Sequence, residues 1–138
     1  MEGRDFLNLA IKLQNAEDEA EHRTAVSRAY YAAFNHVKSF LYKCKIKLPK
    51  AAKAHVKAYQ YLFNSGLDEA EDLAEILDNL RNYRNDADYE LISPKYQHNK
   101  KNCHLVCFQA EQFFNRFDKV DSIILEKGIW EYKKRTNN

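Results

Sequence analysis

The richest stretch of potential chemistry is Leu80-Arg81-Asn82-Tyr83-Arg84-Asn85-Asp86-Ala87-Asp88-Tyr89. On a helix, Arg81, Arg84 and Asp88 step by three and four, so they share a face. Arg84 and Asp88 can pair there, which leaves Arg81 open to a phosphate or a carboxylate. The same spacing suits a plain ion network that stabilises a helix. An acid beside an arginine orients it but weakens its field toward an anion. Charge alone therefore does not choose between a phosphate-handling site and a structural network.

Other reactive groups read as structural. Cys103-His104-x-x-Cys107 puts two thiols on one helix face. Zinc takes four thiolate, imidazole or carboxylate ligands, and Cys44, His55 or His98 would have to supply the rest at a spacing that matches no finger. Thiols used as small apolar groups are the better reading. No metal and no other cofactor is expected. Ser27, Ser39, Ser65, Ser93 and Ser122 lack the turn that exposes a serine nucleophile, and Ser27 is expected to bond to its own backbone. His22, His36, His55, His98 and His104 are scattered, with His22 near the start of a helix and His55 one turn before Tyr59.

The elements that must position these residues are helical. The chain has 138 residues, 45% hydrophobic and 30% charged, with three glycines and two prolines. That leaves no Gly-rich phosphate loop and few tight hairpins. Apolar residues recur at helical spacing over about Arg4–Ala16, Glu21–Cys44, Lys50–Asn64, Asp68–Ile92 and Lys100–Glu126. Ser65–Gly66 reads as a C-cap and Gly128 as the end of the fifth helix. The core stripes are Ala52, Val56, Tyr59 and Phe63 on the third helix, and Leu77, Leu80, Ala87 and Leu91 on the fourth. Residues 1–128 form one domain, and residues 129–138 a flexible basic tail after one helical turn. The expected fold is all-α, an up-and-down bundle of four to five helices.

The net charge of +2 hides segmentation. Residues 31–61 hold seven lysines and no acid, whereas residues 62–92 hold nine acids against Arg81 and Arg84. A basic face suits nucleic acid, and an acidic one suits a basic partner. No apolar run approaches the ~20 residues that span a bilayer, and the charged N-terminus is no signal peptide. An odd count of three cysteines fits a reducing cytoplasm. Nine tyrosines exceed what a small core buries with dry hydroxyls, so some should line a groove or a homodimer surface.

Two segments carry a resemblance. Ser27-Arg28-Ala29-Tyr30-Tyr31-Ala32-Ala33-Phe34-Asn35-His36 resembles the SRAYYAxFH-like segment of HEPN domains. Leu80 through Tyr89 is similar to the L-x-x-x-R-x-x-A-D-Y segment of the same superfamily. His55 sits where many members of one bacterial and archaeal branch have a histidine. The resemblance covers about residues 4–125. It implies a four- or five-helix bundle that dimerises. Active members are metal-independent ribonucleases, with an arginine, a polar residue, three variable positions and a histidine. Two such sites meet across the dimer. The RNA 2′-hydroxyl attacks, leaving a cyclic phosphate. Many members act as toxins or in phage defence beside a separate nucleotidyltransferase.

Carried over position by position, the resemblance puts Arg84 at the motif arginine, Asn85 at the polar position and Tyr89 where the histidine belongs. Arg81 and Arg84 become the phosphate or RNA contacts, with Asp88, His55, Tyr30 and Tyr31 in support. The tyrosine is a departure. Imidazole exchanges protons near neutral pH, while a phenol, ionising near ~10, is a poor general base. The resemblance thus implies a homodimeric binding or accessory subunit for RNA or nucleotide, in a toxin–antitoxin or phage-defence system. A metal-independent endoribonuclease using Arg84, Asn85 and Tyr89, and a ligand-free helical adaptor, are the alternatives.

Overall fold

The structure is a computed structural model and describes residues 1–136. The described residues form six α-helices and no strand: α1 (Gly3–Leu13), α2 (Glu19–Lys43), α3 (Ala52–Phe63), α4 (Asp68–Tyr89), α5 (Lys100–Asp118) and α6 (Ser122–Thr136). The all-α bundle is as expected, with one more helix than the periodicity indicated. Among the described residues no helix is long and apolar enough to cross a membrane.

α2 is the central element, packed by α1, α4 and α5. Ala25, Ala29, Ala32 and Ala33 are fully buried along it, and their small side chains let neighbouring helices approach closely. Asp18 caps α2 by accepting from the Ala20 amide at 2.8 Å. Asn99 does the same for α5 through the Asn102 amide at 2.9 Å. Both satisfy donors that a helix start leaves open.

Several expectations are corrected. The fifth helix does not run to Glu126. It stops at Asp118, and Asp121 accepts from the amides of Ile123 and Ile124 at 3.0 and 3.1 Å, which starts α6 in a new direction. Ile123 and Ile124, in register with the α5 stripe, are accordingly exposed. Gly128 ends no helix; it lies inside α6, where a Cβ would sit 2.0 Å from the Ser65 carbonyl oxygen. Only glycine permits that approach between α6 and the α3–α4 turn. Nor is the segment from residue 129 a flexible tail: it is helical to Thr136, buries Ile129 and Tyr132, and anchors Trp130 through Nε1 on the Cys44 carbonyl at 3.1 Å. Residues 137 and 138 of that expected tail lie outside the described residues.

Two faces also differ. α3 buries Ala54, Ala58, Tyr61 and Leu62, while Val56 is exposed. Leu91, expected in the core, is 92% exposed, because α4 ends at Tyr89 and the helical phase no longer applies. Gly66, at φ +87°, supplies the left-handed turn after α3, near its expected place.

Gly128→Ala should lower stability by about 1–3 kcal/mol, the usual cost of overpacking. Urea unfolding checks this. An unchanged midpoint would mean that α6 does not rest on the α3–α4 turn.

Candidate anion-binding site

α4 carries Arg81, Arg84 and Asn85 on successive turns, with Tyr89 at its end. α2 brings Tyr30 and Tyr31 against them, and the start of α3 brings Ala51, Ala52 and His55. All of these except Tyr30 line a cavity of about 310 Å³, whose polar lining is Tyr31, His55, Arg81, Arg84, Asn85 and Tyr89. The structure therefore gathers the residues singled out in sequence around one hollow. Asp88 is the exception, and Tyr30 stands behind the wall.

Arg84 is 6% exposed. Its guanidinium carbon lies 5.1 Å from the ring centres of both Tyr30 and Tyr31. Such cation–π contacts offset part of the cost of burying the charge. The expected pairing with Asp88 does not form. Asp88 instead accepts from the Ser27 hydroxyl at 3.2 Å, which also corrects the expectation that Ser27 bonds its own backbone. Among the described residues, no ion pair holds Arg81 or Arg84, and the buried Nε of each has no hydrogen-bond partner. A buried cation without its counter-charge costs several kcal/mol, so the hollow is electrostatically incomplete.

The α3 start adds to this field. Its N-cap is Ala51, which has no capping side chain and sits at φ +61°, ψ −145°, a strained region for any residue but glycine. Uncapped amides at a helix start attract anions, and here Ala51 and Ala52 line the same hollow as the buried arginine.

His55 completes the wall. Its Nδ1 is hydrogen-bonded to the Tyr30 hydroxyl, and its ring lies 4.3 Å from that of Phe34. Burial, then the charges of Arg84 and Arg81, push the His55 pKa down to about 4. Burial pushes the Tyr30 phenol up, despite the opposing arginines. Both groups are therefore neutral at pH 7. We assign the Tyr30 O–H as the donor to Nδ1, because the arginine charges act on the phenol oxygen. The remaining imidazole hydrogen is then on Nε2, which makes His55 a hydrogen-bond donor.

The end of α4 is held by residues that sequence reasoning missed. Arg23 donates to the carbonyls of Ala87 at 3.0 Å, Glu90 at 2.5 Å and Leu91 at 3.2 Å, satisfying acceptors that a helix end leaves open. Asp86 accepts from His98 Nε2 at 2.6 Å and from the Ser93 hydroxyl at 2.9 Å. Burial alone would raise the Asp86 pKa, but those hydrogen bonds hold it below the usual carboxylate range. No spacing rule flags these contacts, since each joins α4 to a distant helix or to the loop that follows it. Cys103 and Cys107 are buried free thiols, and among the described residues no cluster of three or more metal-ligating side chains occurs.

An all-helical bundle with an arginine-lined hollow is the class of protein that this fold and site define. The HEPN domain model matches residues 2–120, and the chain belongs to the HEPN family. No curated protein and no solved structure matches it.

The His55 environment predicts a pH dependence. The unfolded imidazole titrates near ~6.5 and the folded one near about 4. Between those values the unfolded chain binds more protons, so stability falls as pH falls through that window. His55→Gln should shrink the drop in Tm between about pH 7 and about pH 5. A drop equal to that of the parent would assign the effect to other groups, such as His36, which burial also shifts down.

Proposed function

We propose that the chain is a HEPN binding subunit that takes a phosphate group of RNA or a nucleotide in the Arg81–Arg84 hollow. The observation that carries this reading is the buried Arg84, set on two tyrosine rings with its Nε unpartnered. A phosphate supplies the missing counter-charge and accepts from the arginines. His55, as an Nε2–H donor, adds a neutral hydrogen bond. Asn85 and Tyr89 stand at the lining as further polar contacts. The subunit works as a homodimer in the cytoplasm, in a toxin–antitoxin or phage-defence system with a separate nucleotidyltransferase. The family membership and the exposed tyrosines Tyr42 and Tyr89 support the paired state, and the free thiols suit a reducing compartment.

Titration with AMP tests the pocket. Arg84→Ala should weaken binding by about tenfold to a hundredfold, the worth of one or two charged hydrogen bonds. Equal binding by parent and variant, or none by either, would sink the reading.

A second reading, a metal-independent ribonuclease, draws on one observation: a neutral imidazole shares the hollow with Arg84. In it His55 takes the other tautomer, with Nδ1–H donating to the Tyr30 oxygen. Nε2 then accepts the 2′-hydroxyl proton as the 2′-oxygen attacks phosphorus and the P–O5′ bond breaks, the 5′-oxygen taking a proton from solvent water, which gives a 2′,3′-cyclic phosphate and a 5′-hydroxyl. Arg84 stabilises the developing charge. RNA cleavage in EDTA, lost in both His55→Ala and Arg84→Ala, is the expected signature. Absence of cleavage across varied RNAs would remove this reading and leave the binding one standing.

A further inference from the structure

The hollow has a larger neighbour. Between the end of α2 and the start of α3 lies a cleft of about 770 Å³, within the size range of small-ligand sites. Both cavities include Ala51 and His55 in their lining, so they adjoin at the start of α3. The cleft has an apolar floor of Phe34, Ile46 and Leu48, all buried. Its rim is cationic: Lys38, Lys43, Lys47 and Lys50 line it, and all four are exposed. Among the described residues no acidic side chain lines either cavity.

The local backbone explains this pattern. α2 ends in two reversing hydrogen bonds, Lys45 amide to Tyr42 carbonyl at 3.0 Å and Ile46 amide to Leu41 carbonyl at 2.8 Å. Lys45 takes the left-handed position at φ 64° that such helix ends usually give to glycine. The segment that follows alternates, with Ile46 and Leu48 inward and Lys45 and Lys47 outward. A strand-like alternation in an irregular segment thus lays an apolar floor and a lysine rim beside the arginine hollow.

An ordinary solvated basic face has no reason to be concave or to adjoin a hollow lined by a buried arginine whose Nε lacks a hydrogen-bond partner. We propose that the cleft is a second subsite of the phosphate pocket, holding a nucleobase on its floor and a second phosphate on Lys43 and Lys47. The ligand is then a nucleobase flanked by two phosphate groups rather than a mononucleotide. This rests on the phosphate reading of the arginine hollow and adds to it the direction in which the ligand extends. The flat face of a base matches the apolar floor, as in sites that bind single strands. The exposed lysines act as point charges on the outer phosphate. Both a nucleic-acid strand and a free nucleoside bisphosphate have this chemistry.

The test is a binding comparison of AMP, adenosine 3′,5′-bisphosphate and a fluorescein-labelled single-stranded hexa-adenylate. The parent protein should bind the bisphosphate or the hexamer at least about tenfold more tightly than AMP, since one charged hydrogen bond is worth that much. The double variant Lys43→Ala, Lys47→Ala should lose this advantage and keep its AMP affinity. Both lysines are exposed, so the fold should survive. For the hexamer, the slope of log K against log salt should become shallower by about 1 to 2. A gain with the hexamer alone would identify the source as a strand, and a gain with the bisphosphate as well would admit free nucleotides. Equal affinity of the parent for all three ligands would overturn the second subsite while leaving the arginine pocket intact. So would a double variant that binds AMP less tightly but keeps the ratio. Failure of all three to bind would overturn both.

Discussion

The guanidinium of Arg84 is the constraint around which the bundle is organised. A charge this deeply buried needs compensation, and an acid one turn away would be the ordinary source. Asp88 is that acid, yet it is tied to Ser27 on α2. What faces Arg84 is the pair of rings at Tyr30 and Tyr31. The swap keeps α4 fixed to α2 and leaves the positive charge unneutralised. Rings partly compensate a cation without cancelling its field, so a structural network is the weaker explanation of these residues.

Keeping an arginine inside with only partial compensation demands rigidity from its supports. The small residues of α2 bring the neighbouring helices close, and α4 carries the arginines past Tyr30 and Tyr31. The end of α4 is then locked from outside by Arg23 on three carbonyls and by Asp86 on His98 and Ser93. Those bonds hold the last turn of α4, just beyond Arg84. The clamp residues do not line the hollow, yet they hold the end of the helix that carries its arginines.

Helical periodicity exposed much of this in sequence, and its failures have local causes. The spacing of Arg81, Arg84 and Asp88 located the site face on α4, but periodicity carries no information about which partner an acid selects. Helical spacing places Val56 and Leu91 in the core. Val56 fails because Ala54, Ala58 and Leu62 define a different face of α3, and Leu91 because the helix stops before it. The α5–α6 break was masked because Ile123 and Ile124 continue the apolar rhythm, while the decisive signal was Asp121 as a cap. His55 was visible only as a resemblance. Its bond to Tyr30 spans 25 positions in the chain, a pairing no local spacing rule supplies.

The fate of the imidazole ties the architecture to the chemistry. A general base works best when its pKa lies near the working pH, and His55 is held far below that by burial and by the two arginines. The same arginines that would attract a phosphate make His55 a poor proton acceptor. A phosphate bound as proposed would reverse this, since its negative charge would face the arginines and favour a proton on the ring. Binding and basicity are therefore coupled through one pair of cations, and affinity for an anion comes first. Tyr89 does not relieve that order: it is 72% exposed at the rim, where its phenol can touch a ligand. On the proposed reading, a bundle built in this way recognises a phosphate before it can act on one.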